Sequence, residues 1–382
     1  MLTAIKGNRS LTFYQQPVTA MRKDSPEYAK GTGAAATASI SYQTSSIITG
    51  YNRQLQTFLT DLNLKRTLDA SRLDLTKPNS AARSQGVKRA WEYEKADVEM
   101  GGSGSSNWSK EQRAEIKRTG KVRGAEGHHQ KNVADHPAQQ ADPDNIKFYE
   151  DRSAHLHQGH QGDFHNSTDA DPIDKNAMLK RTNTKRVWRK DIQGLGMAVA
   201  IGAGIGMTIG FITTLAQSGV TPDTLKLALA EGAKGGLESG LLGGVGYGIG
   251  RTVSEVITQA LGGTLGKLAP EMAQKLTGMI NMGVVGTLTI LAFSTYQFIK
   301  LKCHGVATKE ALIQTGKQAL FSLSLLAVSI AAQGIWGGAA GMIVSISIGV
   351  IFISYSVADS VHQRHFADRV RVYMIEKCCP QY

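Results

Sequence analysis

Polar and apolar positions are spread so unevenly along the chain that its two halves predict different kinds of structure. Up to about residue 190 the sequence is polar and holds 30 of the 43 Lys and Arg residues. Over 194–217, GLGMAVAIGAGIGMTIGFITTLAQ, 24 residues pass without a charge, enough to cross a hydrocarbon core of about 30 Å as a helix. Residues 279–299 form a second uncharged stretch of sufficient length. Residues 318–358 are a 41-residue uncharged run, long enough for two helices joined by a tight hairpin at Gly337 and Gly338. The pattern predicts an all-α, glycine-rich transmembrane domain over 191–382 with about four spans. The stretch 235–250 is shorter and carries Glu238, which predicts an interfacial helix or one packed inside the bundle.

The polar half is punctuated differently. Residues 87–98 suit a helix, and GGSGSSN breaks it. Ser109 starts a second helix with Gln112 three residues later, a capping-box spacing, and Gly120 closes it. KVRG leads as a strand into Gly127, His128 and His129. Adjacent strand residues point to opposite faces, so one of these histidines can face a metal and its neighbour a substrate. Pro137, Pro143 and DPDN impose a loop and turn. NIKFY reads as the return strand, and Asp151 or Ser153 can cap a short helix carrying His155. Strand, loop, strand and helix make a small ββα unit able to hold one metal ion between hairpin and helix. Residues 1–85 show little periodicity, and KGTGAAATASISYQTSSIITG reads as turns, short strands or a mobile segment.

Composition sharpens this picture at three points. The formal charge of +12 makes a polyanion or an anionic membrane surface a natural partner. Cys303, Cys378 and Cys379 form no CxxC pair and are odd in number, which argues against a disulfide framework or a cysteine metal site. The first residues lack the long apolar core of a cleaved signal peptide. Six of the ten histidines fall within 123–160.

Over roughly 90–188, the ordered motifs VEMGGSGSSNWS, EGHH, DPDNI, HLHQGH and GDFHNST resemble the HNH, or His-Me finger, endonucleases of the GHH type, as in DNase colicins and polymorphic toxins. The resemblance implies an α+β nuclease domain with a ββα-metal core over 86–190, ahead of the transmembrane domain. It implies His129 as the general base that activates water and Asn145 as the residue that holds the loop and orients that base. His128, His155 and His160 would be the metal ligands, and Glu126 an acid beside the metal site. The cofactor would be one divalent ion: Mg²⁺, Mn²⁺, Ni²⁺ or Zn²⁺. A cation polarises the phosphate, and a neutral imidazole can take a proton from water, a gain of about 10²- to 10⁴-fold. One spacing departs from the family. His155 and His160 are five apart where relatives place that pair four apart, and five residues turn about 140° away on an ideal helix. Either Gly159 ends the helix so that His160 swings back, or His157 or His165 takes its role.

Arg123, Lys131, Lys147, Lys185 and Arg186 are candidate phosphate contacts. No aromatic ladder or recognition helix is evident, so cutting of DNA with little sequence specificity is expected. LQTFLTDLNLKRTLDAS, chiefly over 58–71, loosely resembles the closing repeats of Rhs and Tc-type toxin shells, which makes 1–85 a leader or a remnant of such a shell. Basic residues cluster at 180–190, between the second and third spans, and after the fourth, at Arg364, Arg369, Arg371 and Lys377. The positive-inside rule then puts the nuclease on the cytoplasmic side, of a bacterial inner membrane. GAGIGMTIG and GLLGGVGYGIG let helices approach closely, so homo-oligomerisation is a further expectation. The implied partners are DNA, the lipid bilayer and a small acidic immunity protein. Competing readings are a membrane-anchored anti-phage nuclease, a non-catalytic zinc-binding adaptor, a solvated loop without metal, and a soluble helical bundle for the apolar half.

Overall fold

The computed structural model describes residues 9–337 and individual positions between 340 and 373, with side chains from residue 34. The chain forms two compact units. One is Ile48–Lys190; the other combines Met1–Ile47 with Asp191–Tyr382.

Helix α1, Arg9–Arg72, replaces the turns, short strands or mobile segment expected over 30–50. From Ile48 onward it lies in the polar unit. Leu55, Leu59 and Leu62 repeat at helical spacing and form a core with Tyr93, Ala96, Met100 and Leu179. That core carries α2, Ser80–Glu99, capped by Asn79, against α1. Arg66 fixes the same face by donating to Asp142 at 2.7 Å and Asp144 at 2.9 Å, so the DPDN turn is held from α1.

Beyond α2 the expected order appears, except that 121–124, expected to lead as a strand, form a turn and the strand begins at Glu126. Helix α3, Lys110–Thr119, starts in a Ser109–Gln112 capping box and ends at Gly120 with φ +85°. The loop between α2 and α3 wraps two buried carboxylates. Ser105 N–H and the Trp108 indole donate to Glu94 at 2.9 and 2.8 Å, Gly104 N–H donates to Asp97 at 2.8 Å, and Thr182 also donates to Asp97. Burial holds the Asp97 carboxyl above its ordinary range. Lys175 lies 3.4 Å from Glu94, with both side chains buried. Strands β1, Glu126–His129, and β2, Ile146–Tyr149, pair antiparallel, Glu126 opposite Tyr149 and His129 opposite Ile146. Ile146 and Phe148 pack on Ala90, Val98, Trp108 and Ile116, which seats the hairpin on α2 and α3. A short helix α4, Arg152–Ala154, capped by Asp151, runs into a single π-helical turn, His155–Gly159.

Helix α5, Lys175–Ser218, continues into the apolar unit. There it is joined by α6, Pro222–Ala260; a short α7, Gly262–Leu265; α8, Pro270–Cys303; and α9, Thr308–Trp336. Among the described residues three helices are long and apolar enough to cross a membrane: Lys175–Ile212, Pro270–Cys303 and Thr308–Trp336. They contain the second and third expected spans and, of the first, residues 194–212. About half of the fourth, with Gly338, Arg364, Lys377, Cys378 and Cys379, lies outside the described residues. The glycine-rich stretch 235–250 lies inside α6 and turns Gly236, Gly240, Gly243 and Gly246 into the bundle. A Cβ at Gly206 would overlap the carbonyl of Gly235, so glycine is what permits α5 and α6 to touch backbone to backbone.

Candidate metal centre and general base

His128 and His129 leave β1 on opposite sides, as strand geometry requires. His128 is 3 % exposed and faces the turn that carries His155 and His160. Its Nδ1 lies 3.2 Å from His155 Nε2. One nitrogen from each of His128, His155 and His160 falls within 4.8 Å of the others. His157 and His165 are exposed and outside this group.

The five-residue spacing is absorbed by the π turn. His160 N–H donates to His155 C=O at 3.1 Å, an i to i+5 bond that an α-helix does not make. The wider turn returns His160 toward His155, their ring centroids 4.9 Å apart. Gly159 is required inside it, because a Cβ there would press on His155, Tyr149 and His128 at 3.0–3.2 Å.

Glu126 accepts from His155 Nδ1 at 2.7 Å. That bond puts the His155 proton on Nδ1 and leaves Nε2 as the atom facing the cluster. Arg152 stands 3.5 Å from the other Glu126 oxygen. The carboxylate thus touches a candidate ligand and sets its direction, an arrangement frequent around metal-bound histidines. Burial, then the neighbouring His160 and His155, push His128 down to about 3. Burial also lowers His160. Neutral imidazoles are the form that binds metal. His160 Nδ1 is buried without a hydrogen-bond partner among the described residues. Imidazole nitrogens converging from three residues are a donor set that could hold a divalent ion.

His129 is fixed by a different contact. Its Nε2 lies 3.0 Å from the carbonyl oxygen of Gln140. A carbonyl only accepts, so Nε2 carries the proton and Nδ1 holds the lone pair. Burial lowers the His129 pKa, which keeps that lone pair free near neutrality. Asn145 is fully buried behind it. Its Oδ1 accepts from Lys131 N–H at 2.7 Å, and its Nδ2 donates to the carbonyls of Lys131 at 3.0 Å and Gln139 at 3.3 Å. It therefore ties both ends of the loop that supplies the Gln140 carbonyl.

The basic candidates divide. Arg123 and Lys185 are exposed. Lys147 lies over the Tyr149 ring, 5.0 Å from its centroid. Lys131 is paired with Asp169 at 2.5 Å. The Arg186 guanidinium donates to Tyr51 C=O, Gln54 and Asn183 at 2.6–2.9 Å and stacks on Tyr51, contacts that fasten α5 to α1. The motif pattern did not reveal Gln140, whose role is carried by its main chain. It also missed Arg66, for which the Leu55–Leu59–Leu62 stripe in α1 was the available signal.

Residues 77–150 match the family described as GHH signature containing HNH/Endo VII superfamily nuclease toxin. The matched segment includes Glu126, His128, His129, Gln140 and Asn145, and ends just after β2. His155 and His160 follow it, and the fold returns them to His128. No curated protein and no solved structure matches the chain.

Proposed function

We propose that this protein is a membrane-associated, metal-dependent endonuclease of the toxin type that hydrolyses phosphodiester bonds in DNA with little sequence preference. One observation carries the reading: three imidazoles converge from β1 and the π turn, while the next residue of β1 presents a neutral imidazole whose Nε2–H is already engaged.

His128, His155 and His160 would hold the ion. When bound, a divalent ion polarises the phosphate and stabilises the departing oxygen. His129 accepts a proton from water at Nδ1 while its Nε2–H stays on the Gln140 carbonyl, so the ring keeps its orientation as it becomes charged. Asn145 keeps the loop, and hence that carbonyl, in place. Glu126 keeps His155 Nε2 directed at the cluster. Arg123, Lys147 and Lys185 are available to backbone phosphate, a contact that gives affinity without reading sequence.

The three apolar helices support attachment to a bilayer, with the basic stretch at 180–190 on the same side as the nuclease. The match to nuclease toxins favours an effector over a resident defence enzyme, and with it an acidic immunity protein able to cover the basic site. The test is plasmid nicking by the full chain in detergent, stripped of metal and supplied with Mg²⁺, Mn²⁺, Ni²⁺ or Zn²⁺. Nicking that chelator abolishes and one of these ions restores supports the proposal. Metal binding without nicking of DNA or RNA would leave only a zinc-binding adaptor.

A further inference from the structure

The segment 34–47 is the least expected part of the apolar unit. It lies in a stretch, 31–52, in which no charged residue occurs, yet its sequence AAATASISYQTSSI is too rich in hydroxyls to read as a membrane span. Within α1 the nine consecutive residues 34–42 are all buried, so burial covers every face of the helix and not one stripe. Its contacts come from four helices. Ile40 packs on Ala198 of α5 and Tyr247 of α6. Ala34, Ala38 and Tyr42 pack on Met282 of α8 and Leu326 of α9. Ser45 accepts from Arg251 at 2.8 Å.

The helices around it are polar inward and apolar outward. Ser254, Asn281, Thr289, Ser322 and Ser329 are buried, while Leu237, Leu241, Leu291, Leu320 and Ile335 are more than half exposed. A soluble bundle has the reverse arrangement; a lipid-facing bundle has this one. Ser41 Oγ and Asn281 Oδ1, both buried, have no hydrogen-bond partner among the described residues. A polar atom sealed in an apolar surround is costly unless water reaches it.

We propose that residues 34–47 are a further membrane-embedded segment, the central helix of the apolar unit, and that water enters the bundle along its hydroxyl face. The proposal rests on the membrane reading given above. On it, the unit assembles around a helix that lipid alone does not hold, because four surrounding helices take the lipid contact.

The test uses the full chain with Cys303, Cys378 and Cys379 replaced by serine, reconstituted in phosphatidylcholine–phosphatidylglycerol vesicles. Single cysteines are placed by Ser41→Cys, by Leu241→Cys on the outer face and by Ser167→Cys in the exposed loop, and are reacted with a small charged methanethiosulfonate. The expected order is Ser167→Cys fastest, Ser41→Cys slower, and Leu241→Cys at least about tenfold slower still. The pair Ala38→Cys and Gly286→Cys should form a disulfide on mild oxidation: a Cβ at Gly286 would lie 3.1 Å from that of Ala38, and the shift that relieves its contact with the Leu326 side-chain end brings the pair toward the usual disulfide separation of about 3.5–4.5 Å. If Ser41→Cys is as inert as Leu241→Cys, the interior is dry and the proposal fails while the membrane reading stands. If Ser41→Cys reacts as fast as Ser167→Cys and the pair does not cross-link, 34–47 lies outside the bilayer and the proposal fails. Free reaction of Leu241→Cys would put the outer face of α6 in water, so the proposal that four helices take the lipid contact fails, while a membrane reading that rests on α5, α8 and α9 stands.

Discussion

The His129 imidazole donates its Nε2–H to the main-chain carbonyl of Gln140 at 3.0 Å, and that carbonyl is itself clamped. The Gln140 side chain accepts from Asn79 N–H at 2.7 Å and donates to the Lys77 carbonyl at 2.9 Å. On the α2 side, Gly86 leaves just enough room, because a Cβ there would press 2.6 Å from the Gln140 oxygen. Gly86→Ala is therefore expected to displace the carbonyl and loosen His129. Nicking should fall about tenfold or more, the effect of about 1.4 kcal/mol in the barrier. Metal affinity, measured by calorimetry, should hardly change.

Asn145→Ala removes three hydrogen bonds from a fully buried position and strands the Lys131 N–H. Each buried polar group left unpaired costs about 1–3 kcal/mol. Thermal unfolding should show a clear loss of stability, and nicking should fall with it.

On the proposed metal site, Glu126 would act on affinity through the hydrogen bond it accepts from His155. Glu126→Ala frees the imidazole to turn, and loss of such a supporting group typically costs about 10- to 100-fold in affinity. Glu126→Gln keeps an oxygen that accepts from His155 Nδ1, so it should lose less. Titration with Zn²⁺ or Ni²⁺ ranks the three proteins.

The metal-free protein should weaken in acid. His128 protonates near 6.5 when unfolded but only at about 3 in the fold, where burial and two neighbouring histidines oppose the charge. The unfolded state therefore binds the proton first, and stability falls as pH drops from about 6.5 toward 3. Between pH 7.5 and 5 this one group removes about 2 kcal/mol. Urea unfolding followed by tryptophan fluorescence reads the difference, and His128→Asn should flatten the dependence.

The site was legible where residue type and geometry coincide. The Ser109 and Gly120 caps, the two strands and the Asp151 cap each follow from local chemistry that the sequence states directly. His160 was harder, because an ideal helix places it on the wrong face and the π turn that restores it depends on Gly159 and on packing against Tyr149 and His128. Helix α1 was missed because its hydroxyl- and alanine-rich part has no stripe: it is buried on every side, so there is no polar face to alternate with. The link that Arg186 makes between α5 and α1 was not legible, because its partners Tyr51 and Gln54 lie more than 130 residues away in sequence.

The most direct measurement compares the wild-type chain with His129→Ala, both loaded with the ion that best supports nicking and both checked by calorimetry for metal content. A mutant that folds, binds one ion as the wild type does and has lost nearly all strand cleavage is the predicted result. Undiminished cleavage by that mutant would contradict the assignment of His129 as the group that takes the proton from water.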